Sequence, residues 1–337
     1  MIGIIWNCRG VAKKGLSTYI RELIWDHKAD FIGIQETMKK SYSEIFFRKL
    51  DSTKEFYWDW TPSSGKSGGM LSGIKNDRFE VENFDNGEFM IIANVFDKSL
   101  RKHWTLANIY GPAQDEFKES FLSELSNFCF KAKYPILMGG DFNILRFSSD
   151  KNKKFVENNF SYVFNLIINS YELRELTLAG GKFTWSNNRK DPTLEKLDRV
   201  LISSSWENEF PLCNLRKIPR YMSGHNPLIV RTDLTQEIGS RPFCFETSWL
   251  QHAEFSEKDI WSRKITAKSA IEAWCIKMDR VKIILKGWGQ NIKGHTRKYK
   301  RILSEELEKL EKQEEEGSLS ADMLQQQHSL SVPSKLG

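Results

Sequence analysis

Polar side chains stand directly after several short apolar runs of this sequence. The runs and the residues that follow them are IIW at 4–6 with Asn7, FIGIQ at 31–35 with Glu36, LANI at 106–109 with Tyr110, and ILMGG at 136–140 with Asp141 and Asn143. Because strands that end at one edge of a sheet place such groups around a common cleft, we expect these side chains to lie close together. Taken alone, any one of these residues would more ordinarily satisfy backbone groups at the end of a strand or start a turn.

These residue types suggest metal-assisted hydrolysis of a phosphoester. A carboxylate such as Glu36, together with amide oxygens, can hold Mg²⁺, which prefers oxygen ligands and keeps waters. A second carboxylate, Asp141, can orient or deprotonate a water. His225, in SGHNPL at 223–228, can stabilise charge on a pentacoordinate phosphate. A lone histidine is usually structural, but a pair with Asp198 would fix its tautomer and favour its charged form.

The elements that must position these residues are predicted within residues 1–234. Strand-like runs occur at 3–6, 31–35, 89–96, 105–110, 136–138, 197–202 and 228–230. Helical periodicity occurs at 16–26, 115–131 and 155–168, and the Gly/Ser/Pro cluster at 61–73 reads as turns. Helices among many strands predict an α/β or α+β domain, with sheet stacked on sheet and helices outside.

A helical pattern replaces this one after the polar stretch at 235–241. Apolar residues from Trp274 to Ile292 repeat at alternating spacings of four and three, as in a coiled-coil seam. Gly287, Gly289 and Gly294 interrupt the pattern and argue against one unbroken helix. We therefore predict a helical region over 235–316 and a disordered tail over 317–337.

The composition excludes several classes of protein. The chain has 337 residues, 40% hydrophobic and 28% charged, which is a globular balance. No run approaches the roughly 18 apolar residues of a membrane span, and MIGIIWNCRG at 1–10 is too briefly apolar for a signal peptide. The five cysteines form no CxxC pair, so zinc and disulfides are not expected. The expectation is an intracellular protein that contacts no membrane.

Charge is distributed unevenly at the C-terminal end. The net charge is +6, but residues 261–301 carry 12 basic and 2 acidic side chains, whereas 302–322 carry 2 basic and 8 acidic ones. One solvent-exposed helix whose two ends carry opposite charge would explain this pattern. Alternatively, the basic block binds nucleic-acid phosphates through counterion release, and KGHTRKYKR at 293–301 acts as a nuclear address.

Six short motifs also carry a resemblance to a known superfamily. In chain order they are WNCRG at 6–10, IQET at 34–37, NIYGP at 108–112, GGDFN at 139–143, LDRVLIS at 197–203 and SGHNPL at 223–228. This order resembles the endonuclease/exonuclease/phosphatase superfamily. KFTWSN at 182–187 and RPFCFETSWL at 241–250 make the chain look like the endonuclease of plant-like LINE-type non-LTR retrotransposons. The tail resembles the linker before their reverse transcriptase, so we expect a fragment or truncated copy of an element.

The resemblance implies a four-layer α/β/β/α sandwich with a helical C-terminal extension. It also implies Mg²⁺-dependent cleavage of duplex DNA, with Mn²⁺ as an alternative metal, in which one strand is nicked and the freed 3′-hydroxyl primes reverse transcription. Element RNA is a further expected partner, through the basic tail. The nucleus is the expected location, with the cytoplasm as the alternative, and the oligomeric state is left open.

The resemblance further implies a role for each site residue. Glu36 and Asn7 would hold the metal, Tyr110 would contact the scissile phosphate, Asp141 and Asn143 would position the water or the leaving group, and Asp198 would orient His225. Substrate contacts would come from Arg9, Trp185, Ser186, Asn187 and Ser223. For Trp185, a place in the core is an equally open alternative.

One position departs from the superfamily pattern. Where Ser-Asp-His is usual, the chain has Ser223, Gly224 and His225, so a carboxylate is missing. We expect weaker metal affinity and slower turnover, without a change of fold. Two alternatives stay open: a catalytically decayed retrotransposon fragment that keeps the fold and binds nucleic acid, and a phosphatase of the same fold that acts on a small phosphoester.

Overall fold

A computed structural model describes residues 1–64, 67–232, 265–317 and 319–331 of the chain. The described residues fall into two compact units, one within Met1–Leu234 and Leu307–Gly337 and the other within Thr235–Glu306. The polar stretch at 235–241 and the motif at 241–250 lie outside the described residues. The domain boundaries expected from the sequence therefore stay predictions.

Strands are the most numerous elements in the described part of the first unit. In chain order they are β1 Ile2–Asn7, β2 Phe31–Gln35, β3 Phe56–Ser64, β4 Ser67–Lys75, β5 Phe79–Asn86, β6 Met90–Asp97, β7 Lys102–Tyr110, β8 Ile136–Asp141, β9 Leu173–Glu175, β10 Leu178–Ala179, β11 Trp185–Ser186, β12 Leu194–Glu195, β13 Asp198–Ser203, β14 Asn214–Lys217 and β15 Leu228–Arg231. One sheet has the order β10-β14-β15-β1-β2-β4-β3, the other has the order β5-β6-β7-β8-β13-β9, and β11 pairs with β12.

Helices flank these sheets and continue into the C-terminal region. They are α1 Leu16–His27, α2 Glu44–Leu50, α3 Lys118–Lys131, α4 Asn159–Ser170, α5 Ser204–Glu209, α6 Ala270–Glu315 and α7 Ala321–Ser331. The helical periodicity at 16–26, 115–131 and 155–168 thus marks α1, α3 and α4. A cap defines the start of α4, because the Asn158 side chain accepts a hydrogen bond from the Ser161 backbone N–H.

Three buried clusters hold the layers together. Side chains of both sheets, such as Ile5 and Leu137, meet in the central cluster. The neighbouring residues Ile4 and Met138 point the opposite way, Ile4 into a cluster with α1 and Met138 into a cluster with α3 and α4. This alternation follows the two-residue period of a strand. The predicted four-layer α/β/β/α sandwich is confirmed.

Register brings the ends of several strands to one rim. β1 runs parallel to β2 with Asn7 opposite Gln35. β7 runs parallel to β8 with Tyr110 opposite Asp141, and β13 is antiparallel to β8 with Asp198 opposite Asp141. The residues expected to do chemistry therefore lie where the carboxyl ends of β1, β2, β7 and β8 meet the start of β13.

The reading of 61–73 as turns was wrong. These residues belong largely to the antiparallel pair of β3 and β4, in which Trp58 lies opposite Gly73 and Trp60 opposite Leu71. A Cβ at position 73 would stand 2.5 Å from the Trp58 ring. The glycines thus serve close packing within a strand, where the composition suggested turns.

Two expectations for the C-terminal region also need correction. α6 is continuous from Ala270 to Glu315 despite its glycines, because the roughly 1 kcal/mol that a helical glycine costs is small beside the hydrogen bonding of so long a helix. The tail expected to be disordered contains α7, where the Ser331 carbonyl accepts a hydrogen bond from the Met222 N–H at 3.1 Å. Local composition did not reveal this long-range contact.

Candidate active site

A hydrogen bond between two side chains, one from each sheet, joins the two sheets at the rim. The Asn7 amide Nδ2 at the end of β1 donates to Asp141 Oδ2 at the end of β8, at 2.8 Å. Both side chains are buried, since each residue is only 1% exposed. The backbone N–H of Asn143 donates to the other oxygen of Asp141 at 3.0 Å. Asp141 is therefore fixed in orientation by two neutral donors.

His225 lies beside this carboxylate in the loop between β14 and β15. Its Nδ1 stands 2.9 Å from Asp198 Oδ2, and its Nε2 stands 3.8 Å from Asp141 Oδ2. Its carbonyl accepts from Trp6 Nε1 at 3.0 Å, and its N–H donates to Ser223 Oγ at 3.2 Å. The expected pair of His225 with Asp198 is thus present in the folded chain.

Burial and charge compete at the two central titratable groups. Burial raises the pKa of Asp141 to about 6, although His225 and the Asn7 hydrogen bond act in the opposite direction. Burial lowers the pKa of His225, but the charges of Asp198 and Asp141 outweigh it, so the pKa of His225 is raised above 6.5. The histidine is therefore disposed to carry a proton, and Asp141 holds one more readily than an exposed aspartate does.

Three residues around this centre have left-handed backbone conformations that non-glycine residues seldom adopt. The φ angles are +51° at Arg9, +50° at Glu36 and +48° at Asn143. The Gly10 N–H donates to the Glu36 carbonyl at 2.7 Å, and Arg9 Nε stands 3.6 Å from Glu36 Oε2. Such conformations persist only where surrounding contacts enforce them, and they concentrate at functional sites.

These groups open onto a cavity of about 850 Å³. The sequence-predicted residues that line it are Arg9, Glu36, Tyr110, Asp141, Asn143, Trp185 and His225. Burial raises the pKa of Tyr110, so its phenol keeps its proton. The indole Nε1 of Trp185 is buried without a hydrogen-bond partner among the described residues. The cavity therefore offers the Tyr110 phenol to a ligand, whereas the Trp185 indole N–H lies near Gly224, where an added Cβ would stand 3.2 Å from it.

The other predicted site residues do not line that cavity. Asn7 and Asp198 lie behind it as partners of Asp141 and His225. Ser186 Oγ donates to a glutamate of α6, and Asn187 Oδ1 accepts from the Arg189 and Thr193 N–H groups. Ser223 Oγ donates to the Asn7 carbonyl at 2.8 Å. The hydrogen bonds of these three side chains within the chain fix the loops around the cavity.

Thr184 is a site residue that the sequence reasoning did not single out. Its Oγ1 accepts from the backbone N–H groups of Leu197 and Asp198, at 3.1 and 3.0 Å, and its own carbonyl accepts from the Asn226 N–H. It therefore links the strand of Asp198 to the loop of His225. Thr184 could have been identified from the sequence through its place in the KFTWSN motif at 182–187.

The backbone around Gly224 explains why glycine occupies that position. A Cβ there would stand 2.7 Å from the Ser186 carbonyl oxygen and 3.2 Å from Trp185 Nε1. Any side chain would displace the strand that carries these groups. The carboxylate expected from the superfamily pattern thus has no room in the loop as it is folded.

The donor set fits a hard divalent cation. Asp141, Asp198 and His225 offer ligand atoms within 4.8 Å of one another, and Glu36 lines the same cavity. Carboxylate oxygens are the donors that Mg²⁺ and Mn²⁺ prefer. Burial without a Lys or Arg partner raises the pKa of Asp141, and a cation would relieve that unfavourable charge. The residues present therefore suit such an ion.

Comparison with known proteins supplies an independent view. The sequence model described as the Endonuclease/Exonuclease/phosphatase family matches residues 4–223, whereas no match is found among curated proteins. In the described residues no helix has both the length and the apolar character needed to cross a membrane.

Several solved structures share the fold. The endonuclease domain of TRAS1, a telomere-specific non-LTR retrotransposon, is 14% identical with a TM-score of 0.54, over 70% of this chain and 99% of that one. A 3′-5′ exonuclease from Neisseria meningitidis is 15% identical with a TM-score of 0.55, over 69% and 100%. The AP endonuclease from Leishmania major is 13% identical with a TM-score of 0.53, over 68% and 86%. At these identities the likeness is one of fold.

Proposed function

The chain belongs to the endonuclease/exonuclease/phosphatase family, and we propose that it is a metal-dependent endonuclease that nicks one strand of duplex DNA. The observation that carries this proposal is the buried Asp141, Asp198 and His225 cluster beside a cavity of about 850 Å³. Enzymes of this family are typically dependent on divalent metals. A phosphodiester held in the cavity would meet a carboxylate, an imidazole and a phenol together.

Each residue has a defined part in this proposed hydrolysis. Asp141, whose pKa of about 6 lies near neutral pH, orients the attacking water and accepts its proton. His225, held charged by Asp198, stabilises the negative charge that develops on the phosphate. Tyr110 donates from its phenol to a phosphate oxygen, and Asn143 keeps the Asp141 carboxylate in place.

Glu36 and Asn7 are the residues proposed to hold the metal, with Mg²⁺ as the first choice. Such an ion, when bound, supplies Lewis-acid polarisation of a phosphoryl oxygen. The contact between Arg9 and Glu36, at 3.6 Å, keeps the carboxylate at the cavity wall. Asn7 joins this region to Asp141 through its amide.

The basic surface beside the site favours an extended polyanion over a compact phosphoester. A second cavity, of about 760 Å³, shares Arg9 with the first and is lined also by Lys13, Arg189 and Lys190. Such a group of cations suits the repeated phosphates of a nucleic-acid strand. It supports DNA over an inositol phosphate or a lipid head group as the substrate.

The retrotransposon role is the finer part of the proposal. The likeness to the TRAS1 endonuclease domain and the motifs quoted above support it. With it we propose a nuclear location and binding of element RNA by the basic residues of 261–301. The alternative of a decayed fragment that only binds nucleic acid is supported by Gly224, where the family's carboxylate is missing.

Conversion of supercoiled plasmid to open circle with Mg²⁺ tests the proposal. We expect nicking by the full chain that stops with EDTA and falls at least a thousandfold in His225→Ala. DNA binding without metal-dependent nicking would favour the decayed fragment. Faster turnover of soluble phosphomonoesters than of duplex DNA would favour the phosphatase.

A further inference from the structure

The acidic end of α6 packs on the catalytic domain with two buried carboxylates. Glu311 and Glu314 are each only 4% exposed, whereas the Glu308 side chain on the same helix is 43% exposed. Leu307 and Leu310 are also buried and provide the apolar contact of this segment. Burying a carboxylate is unfavourable unless donors meet it, so the partners of these two glutamates require an explanation.

Both glutamates bind the loops that surround the catalytic histidine. Glu311 accepts from the Arg220 backbone N–H at 2.7 Å and from Asn226 Nδ2 at 2.9 Å. Glu314 accepts from Ser186 Oγ at 3.0 Å and pairs with the Arg220 guanidinium. The i and i+3 positions of one helix face thus reach two separate loops.

The bound residues lie on either side of His225. Asn226 directly follows it in the chain. On the other side, the Ser186 N–H donates to the carbonyl of Gly224 at 3.0 Å, and Gly224 directly precedes the histidine. Glu311 therefore fixes the residue after His225, and Glu314 fixes the strand that holds the residue before it.

We propose that Glu311 and Glu314 are positioning residues that hold His225 in register with Asp141, so that the C-terminal helix completes the active site. This inference rests on the proposed function. The His225 Nε2 lies 3.8 Å from Asp141 Oδ2, and a displacement of about 1 Å at a reacting group can lower a rate a hundredfold. The two glutamates lie beyond residues 4–223, which the family model matches.

Nicking kinetics of full-length Glu311→Gln and Glu314→Gln test this inference, with Glu308→Gln as the matched control. Glu308 lies on the same helix and pairs with the exposed Arg216. We expect kcat to fall between about tenfold and a hundredfold in the two buried variants, because His225 is displaced. KM should stay within about twofold, and the control should match the wild type in both.

Several results would overturn the inference. Unchanged kcat in both buried variants would do so, as would a loss confined to KM or an equal loss in Glu308→Gln. If Glu314→Gln does not fold, Ser186→Ala removes the same hydrogen bond and leaves the pair of Glu314 with Arg220 intact. The same fall in kcat is then expected, and its absence counts against the inference.

Hydrogen exchange separates this inference from the proposed function. In folded Glu311→Gln and Glu314→Gln, the amides of 223–226 should exchange at least tenfold faster, while those of β8 stay at the wild-type rate. If the wild type does not nick DNA, the proposed function fails, and this exchange experiment still decides whether the helix holds the loop. Unchanged protection of the amides of 223–226 would mean that the helix does not position this loop.

Discussion

Two carboxylates of one sheet, those of Asp141 and Glu175, are both largely buried but differ widely in pKa. Burial raises the pKa of Asp141, at the end of β8, to about 6. Burial also acts to raise the pKa of Glu175 on β9, but Arg199 and Lys196 lower it to about 2. The difference therefore comes from the neighbours rather than from the depth of burial.

The contacts show how the sequence creates this difference. Arg146 Nη1 stands 2.5 Å from Glu175 Oε2, Arg199 Nη1 stands 3.2 Å from Oε1, and Lys196 pairs with the same carboxylate. In the part of the chain that the structure describes, no Lys or Arg forms an ion pair with Asp141. A buried carboxylate surrounded by Arg and Lys stabilises the fold, whereas one that faces only a histidine is available for chemistry.

The largest effect is expected from Asp141→Asn. Nicking should fall at least a thousandfold, because the proposed base is lost. Measured in EDTA, the folded state should become more stable, by up to about 3 kcal/mol above pH 6, since a carboxylate with a raised pKa is unfavourable when ionised. This gain should fade as the pH falls from about 6 towards 3.8. Urea unfolding of the variant and the wild type at pH 7.5 and pH 4 measures this gain in stability. A variant less stable than the wild type at pH 7.5 would contradict the conclusion that an ionised Asp141 destabilises the fold.

Glu175→Gln should have the opposite effect on stability. The lowered pKa of Glu175 corresponds to a contribution of about 3 kcal/mol that is present above pH 4.5 and lost as the pH falls towards 2. We therefore expect destabilisation of that order at pH 7, with nicking retained by the folded protein. Glu172→Gln, on the same segment, is the control, because Glu172 is exposed and lies outside this cluster. Equal stability of Glu175→Gln and wild type would show that the cluster is not stabilising.

A smaller effect is expected when another carboxylate is added to the rim by Gly224→Asp. The new Cβ would stand 2.7 Å from the Ser186 carbonyl, so we expect a loss of about 1–3 kcal/mol of stability and no increase in nicking. Urea unfolding and the plasmid assay measure both quantities. Faster nicking by this variant would mean instead that the missing carboxylate limits the wild-type rate.

The sequence predicted the layers and the rim because local patterns determine both. Apolar runs followed by polar residues marked β1, β2, β7 and β8, and each run is buried on both faces as a central strand should be. The register within each sheet places Asn7 and Asp141 at the carboxyl ends of β1 and β8, and the stacking of the two sheets brings the two side chains into contact.

What the sequence did not reveal depends on contacts between distant segments. The hydrogen bonds of Glu311 to Asn226 and of Glu314 to Ser186 join residues 85 and 128 positions apart, and the acidic block alone was equally consistent with an exposed helix. The absence of room at Gly224 likewise arises from the neighbouring strand β11. Neither the contacts of the two glutamates nor the lack of space at Gly224 produces a periodic pattern in the sequence.

The pairing of β1 with β15 limits when the candidate site can form during synthesis. Ile2 lies opposite Arg231, so β1 lacks this partner until about 230 further residues have been made. At roughly 5–20 residues per second this takes between about ten and fifty seconds. Contacts so far apart in the chain also form slowly. A nascent chain therefore cannot assemble this site on the ribosome until β15 has emerged.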